Sequence, residues 1–494
     1  MFRRKSGAPN ASGVAPTQRG NFPTFRRLLG RLSARLGRLP FLSRAWWKRN
    51  KRRVAVTCLV LAALWTATNI YASTLLNREL EAIRQRGEPL TMAELAPPAV
   101  PDAQNAAILY KRAETTLEKL GLTTDEEIQM MGQDAKTNAM MPAPQLSATR
   151  RRLLQKYRPA IALIRQGAAL PSCVFPTKWQ EPAFEILFPD LAKLRKFARL
   201  MSASAVQEAQ DGQTAQAIED VGAIYRMSEH AASDPILISL LVSIAIENIG
   251  HNALAQVFEY SNFTPAQKRQ VEAILPRTDQ EKQLVRALQG ERAFGLSGFN
   301  ALDLQTDVLQ LTGESEQTSP LNLSLFRVAH TIGLPMFKLD EMWYLRSHPA
   351  NPHPVPYQDV PRYAALTRVL LPVFERLHQT TDKSKTNRNL ARVALDLNVY
   401  HTQNKTFPVT LAQLEAQTKT KLPLDHFSGK PFVYRRTKND YDLYSVGANK
   451  KDDSGRTEQE WNRTQTQQLP SGSWLASQWD DVTWPPGKKN KSGN

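Results

Sequence analysis

Residues 54–76, VAVTCLVLAALWTATNIYASTLL, form an apolar run of 23 residues without a charge. As a helix rising about 1.5 Å per residue it reaches about 34 Å, enough to cross a hydrocarbon core of about 30 Å. The sequence therefore predicts a single transmembrane helix. The basic block Lys48–Arg53 precedes the run, and Trp46 and Trp47 suit a membrane interface. Positive charge stays on the cytoplasmic side, so the N-terminus is expected inside and everything after Asn77 outside the cytoplasm. With 53 residues ahead of it, the run reads as an uncleaved anchor and not as a secretory signal. Arg52 and Arg53 lack the residues that would complete a twin-arginine signal.

The formal charge of +18 would suggest a nucleic-acid partner were it spread over the chain. It is not: 15 of the 64 Lys and Arg lie in residues 1–53 with no Asp or Glu, leaving 49 basic against 46 acidic residues elsewhere. No nucleic-acid partner is expected for the folded part. Within this cytoplasmic arm, residues 25–39 read as an amphipathic helix. Leu28, Leu29, Leu32, Leu36 and Leu39 share one face beside Arg27, Arg31, Arg35 and Arg38, and Pro40 ends it. Such a helix is built to lie on anionic lipid, which makes the lipids of the cytoplasmic membrane the first expected partner. A transit peptide and a cytoplasmic docking arm have the same composition. Cys58 lies in the apolar run and Cys173 does not, so a disulfide between them is not expected.

Residues 77–384 read as an α-helical extracytoplasmic domain, a bundle or a stack of hairpins. A helix follows Asn77, Gly87-Glu88-Pro89 breaks it, and a second is expected from about Asp102. Asp190 is read as the cap of a helix that carries Leu191, Leu194, Phe197, Leu200 and Met201 on one face. Asp211-Gly212 closes it, and Thr214–Ala231 forms the return helix. PILISLLVSIAI, Pro235–Ile246, is too short to span a bilayer and too apolar to face water, so it is expected at the centre of the core. Thr264 and Pro265 read as the N-cap and first residue of the next helix. No 34-residue period marks a regular solenoid.

The last hundred residues change character. Leu390, Val393, Ala394, Leu397 and Tyr400 keep helical spacing; then Pro423, Asp425 and Gly429 set a turn before two β-rich stretches, Phe432–Arg436 and Tyr441–Val446. This hairpin is followed by Gly447, Asn449, Asp452, Asp453 and Gly455. The spacing Pro423, Asp425, Phe427, Gly429, Pro431, Tyr434, Tyr441, Leu443, Ser445, Gly447 resembles the C-terminal head of the major pseudopilin of type II secretion systems. The likeness covers about residues 387–484. It implies a small α+β head over residues 385–486, with residues 487–494 as a tail, and a Ca2+ site in the loop after the hairpin. The ligands that it implies are Asn449, Asp452, Asp453, Asp480 and Asp481. Where the family has Gly-x-Asp this chain has Gly447-Ala448-Asn449, which removes one charge from the set, so a solvated acidic turn stands as the other reading. No prepilin-type leader precedes the apolar run. The chain as a whole resembles single-pass, membrane-anchored bacterial proteins, which implies architecture only; the expected location, the bacterial cytoplasmic membrane, follows from the apolar run and the basic block before it.

Residues that carry chemistry are few. Glu247 and His251 lie four apart on one helical face, either as an acid–base or metal pair or as a hydrogen-bonded pair that closes the core. His348 and His353 fall in a proline-rich loop and read as solvated. Cys173, between prolines and apolar residues, reads as a small buried hydrophobe. Trp461, Trp474, Trp479 and Trp484 either seal the small sheet or line a sugar- or peptide-binding face. No catalytic constellation emerges. The expectation is a non-catalytic scaffold or interaction protein of the cell envelope, with envelope proteins as partners and an alliance with secretion or pilus-like machinery. The alternative is a membrane-tethered hydrolase or binding protein acting on envelope polymers.

Overall fold

The computed structural model describes residues 44–133, 141, 143–303, 320–457 and 480–486. The amphipathic helix expected at 25–39, the tail at 487–494, and Trp461, Trp474 and Trp479 lie outside them. Two compact units emerge, divided between Ile70 and Tyr71. One helix, α1 (Arg44–Gln85), belongs to both. In the first unit its apolar side chains are exposed, Leu59 at 68% and Leu61 at 61%. Such an exposed, uncharged surface is compatible with a lipid surrounding.

The second unit is mainly helical. After α1 come α2 (Ala106–Lys119), α3 (Thr124–Met130) and α4 (Ala143–Ala168), then α5 (Pro189–Gln210), α6 (Thr214–Ala231) and α7 (Leu237–Tyr260). The last three form consecutive hairpins whose apolar faces meet, with α2 and α4 packed outside them. Asp190 is not the cap of α5: Phe188 holds that position and Pro189 opens the helix, leaving the carboxylate in the first turn where it complements the helix dipole. The return helix has the expected bounds. Both α1 and α7 are long and apolar enough to cross a membrane, but about half of the apolar window of α7 is buried inside the bundle. The closeness of that packing is visible at Gly250, where a Cβ would stand 2.6 Å from the Tyr225 ring.

Next are α8 (Pro265–Ile274), α9 (Gln280–Asp303), α10 (Pro320–Ser347), α11 (Ala365–Asn404) and α12 (Leu411–Thr418). Thr264 caps α8 reciprocally with Gln267, as Thr-Pro-x-Gln suggests. The sheet follows: β1 (Val433–Arg436), β2 (Tyr441–Ser445) and β3 (Val482–Trp484), antiparallel in that order, with Val433 opposite Tyr444 and Leu443 opposite Trp484. The boundary expected at residue 385 falls inside the unbroken α11, because that helix serves both sides. Leu390, Val393, Ala394 and Leu397 are buried in one core with Leu254 of α7, with Phe432 just before β1, and with Leu443 and Trp484 of the sheet. The hairpin is pinned to the loop before α12 by the Tyr434 hydroxyl, which donates to Pro408 O at 2.8 Å.

Candidate metal centre

A single buried carboxylate organises the turn before the sheet. Asp425 accepts from Phe427 N at 3.1 Å and from the Ser428 and Ser445 hydroxyls at 2.7 and 2.6 Å. Ser445 Oγ in turn accepts from Gly447 N at 3.1 Å. This chain of bonds fixes where β2 ends and the acidic loop begins. Gly447 has φ +63°, and a Cβ there would lie 2.2 Å from Asp480 O and 2.5 Å from its Oδ1. Glycine meets both demands, since it takes a left-handed backbone without strain and lets Asp480 come close.

Asp453 from the loop and Asp480 and Asp481 from the approach to β3 each offer a carboxylate oxygen, all within 4.8 Å of one another. Asp480 Oδ2 accepts from Asn449 N at 2.9 Å, Asp481 Oδ2 from Gly455 N at 2.7 Å, and Asp453 Oδ2 from the Asn449 side-chain amide at 2.8 Å. The remaining oxygens are the informative ones. Asp480 Oδ1 and Asp481 Oδ1 are buried and receive no hydrogen bond among the described residues. Asp481 is only 3% exposed. Burial, above all, pushes its carboxyl up to about 7, and the charges of Asp453, Asp452 and Asp480 add to the effect. Asp480 is raised for the same first reason.

Of the five residues that the resemblance implied, three converge. Asp452 is engaged elsewhere, accepting from Arg435 Nη2 and from the Tyr444 hydroxyl at 2.9 Å each. Asn449 turns its amide nitrogen toward Asp453, while its carbonyl oxygen accepts from Lys451 N at 2.7 Å. The donor set is hard oxygen with excess negative charge and two orphaned buried acceptors. It fits an oxygen-seeking divalent cation such as Ca2+, which needs further oxygens from backbone or water to reach six to eight ligands. No family model, curated protein or solved structure matches this chain.

The other polar residues singled out from sequence are placed differently. Glu247 and His251 are both buried, with His251 Nε2 3.2 Å from Glu247 Oε1. Arg388, 141 residues further along, donates Nε and Nη2 to the two Glu247 oxygens at 2.7 Å each. His251 Nδ1 shares a 2.9 Å hydrogen bond with the Tyr225 hydroxyl. Burial alone would raise the Glu247 carboxyl, but the Arg388 and His251 hydrogen bonds and charges outweigh it and hold the group down at about 2. The pair therefore closes the core, joining α6, α7 and α11. His348 is not solvated: it is fully buried at the end of α10 between the Tyr344 and Phe374 rings, and burial lowers it to about 3. His353 is exposed as expected. Cys173 is buried, which raises its thiol well above the ordinary range. Trp484 is 2% exposed and packs on His251 and Phe258, so it seals the sheet against the bundle.

Proposed function

We propose that the chain is a non-catalytic scaffold of the cell envelope, held by one membrane span and presenting a pseudopilin-like head whose acidic loop is locked by Ca2+. The N-terminus lies in the cytoplasm in this reading, and the helical domain and head lie outside it, where envelope proteins, including those of secretion or pilus-like machinery, are the partners. The observation that carries the reading is the donor-less buried oxygen of Asp481 beside two further carboxylates. Three such groups repel one another unless a cation or protons neutralise them. The sealing of Glu247 and His251 supports a structural role for the one pair that had chemical promise.

The full chain in detergent, stripped of metal, tests this. A carboxyl raised from 3.8 to about 7 in the fold stabilises it most below pH 4, and that contribution is lost as pH rises through 7. Without cation the melting temperature should therefore fall between pH 5 and pH 8. Calcium at a hundredfold excess over its Kd should restore about 2.7 kcal/mol at pH 8 and little at pH 5. Asp481→Asn should flatten the pH profile and weaken the calcium response together. Identical melts with calcium and with chelator at pH 8 would remove the cation lock from the proposal.

A second reading rests on a cleft of about 810 Å³ between the end of α7, α11 and the hairpin. Phe258, Tyr260 and Phe407 line it with the carboxylates Glu259 and Asp440, and no Lys or Arg lines it among the described residues. That surface favours an envelope polymer as ligand. Binding of a soluble peptidoglycan fragment that is lost in Tyr260→Ala would move the assignment from scaffold to envelope-polymer binding protein.

A further inference from the structure

Two long helices end at the cleft between α7, α11 and the hairpin. Phe258, Glu259 and Tyr260 close α7, a helix of 24 residues, and His401 lies in the last turn of α11, a helix of 40. The carbonyl end of a helix carries about half a negative charge, which basic side chains in the last turn offset. In its last turn α7 has no basic residue and α11 has only His401. Glu259 and Asp440 add two formal negative charges to the lining, and no Lys or Arg opposes them there among the described residues. A carboxylate has about four lone-pair sites, so one protein partner does not exhaust it. Asn398, also in the lining, leaves an acceptor over. Its amide nitrogen donates to Phe258 O at 3.3 Å, which fixes the amide's orientation, and its Oδ1 is buried without a hydrogen bond among the described residues. Charge, helix ends and the left-over oxygen all call for a ligand that brings N–H donors and positive charge.

The rest of the lining is aromatic and amide. Tyr260 is 50% exposed. Phe407 stacks on His401 with ring centroids 4.4 Å apart and meets Tyr441 edge-on at 4.9 Å, which holds these flat faces in place. Such rings attract a cation and offer a flat apolar surface. Asn262 and Asn439 supply the paired donors and acceptors that match hydroxyl groups. An amine carried on a hydroxylated ring uses all of these features, whereas a lysine side chain, with a bare methylene stem, has no hydroxyls for the amides. At about 810 Å³ the cleft lies within the usual range of about 300–1,000 Å³ for small-ligand sites, enough for a short oligomer. We infer that the cleft takes a glycan whose hexose units carry free amino groups, with the ammonium drawn to Glu259 and Asp440. The inference rests on the reading of this cleft as a site for an envelope polymer, and it names the group by which that polymer is held.

The test uses the full chain in detergent at about pH 6, where a free amine is charged. Calorimetric titration compares a glucosamine tetramer, the same tetramer fully N-acetylated, and tetralysine, which carries the charge without the sugar rings. The glucosamine tetramer should bind at least about tenfold more tightly than either of the others. Glu259→Gln combined with Asp440→Asn should abolish its advantage over the acetylated form. The asparagine keeps the Oδ1 that accepts from Tyr441 N at 2.8 Å, so the hairpin turn is retained. Equal affinity for the two tetramers would overturn recognition of the amine; if that affinity is lost in Tyr260→Ala, the polymer reading stands without it. Tetralysine that binds as tightly as the glucosamine tetramer would assign the cleft to a basic peptide and overturn the glycan. A preference for the amine that persists in the double variant would place the ligand on another acidic surface and overturn the site. Binding of neither tetramer would bring down the polymer reading itself, and the inference with it.

Discussion

Glu247 shows how much a single residue can decide in this bundle. Its two oxygens are filled by Arg388 and His251, and every one of these groups is buried. Removing one partner of such a pair strands a charge in the core, at a cost of about 3–5 kcal/mol, whereas replacing both with apolar groups of similar size costs far less. Glu247→Gln should therefore lower the unfolding free energy by about that amount in a denaturant titration, and Glu247→Leu with Arg388→Met should lose less than the single change. A neutral Glu247→Gln would mean that the ion pair is not formed. The pH dependence has the opposite sign to that of Asp481. A carboxyl held near 2 contributes its stability above the ordinary 4.5, and loses it only as pH falls toward 2. Sequence could pair Glu247 with His251 because four residues bring them to one helical face. It had no means of finding Arg388, which the return of α11 brings in from a distance of 141 residues.

At the scale of elements, close approach is bought with glycine at specific points. Gly290 of α9 faces the turn before α7, where a Cβ would fall 1.6 Å from Pro235 O. Two turns further along the same helix, Gly298 has open space around it. Gly290→Ala should push α9 away from that turn and lower the melting temperature by several degrees, while Gly298→Ala should be neutral or gain up to about 1 kcal/mol from helix propensity. Equal effects at both would show that α9 does not pack as described. The legibility of the elements follows the same division between local and distant causes. The bounds of α6, the cap of α8 and the two strands of the hairpin could be read because short-range patterns set them: Gly212 before Thr214, Thr-Pro-x-Gln, alternating β-branched and aromatic residues. The strand β3 could not. Three residues between Asp481 and Pro485 have no periodicity of their own, and they become a strand only by pairing with Leu443–Ser445. The candidate metal centre divides likewise, for the loop aspartates were visible as a cluster, but which of them converge depends on where β3 delivers Asp480 and Asp481. Sequence alone misplaces His348 because its proline-rich neighbours hide the helix that ends just before it, where Tyr344 and Phe374 enclose it.

For the whole molecule the governing asymmetry is electrostatic. Fifteen basic residues and no acidic ones precede residue 54, and the rest of the chain is almost neutral. Moving that arm across a membrane would oppose both its charge and the potential, whereas the near-neutral remainder meets no such barrier. Orientation then bears on the acidic loop, because calcium outside the cytoplasm reaches the level at which weak sites of about 0.1–1 mM are filled. If the proposed topology and the cation lock both hold, protease added to intact spheroplasts should cleave beyond Asn77 and spare the arm. With calcium present the head should persist as a resistant fragment; with chelator it should be cut first in the loop around Asp452 and Asp453. The two halves of the result are separable. Full protection of the large C-terminal portion would reverse the orientation whatever calcium does, while digestion that is indifferent to chelator would keep the orientation and leave the carboxylates of Asp453, Asp480 and Asp481 to be neutralised by protons alone.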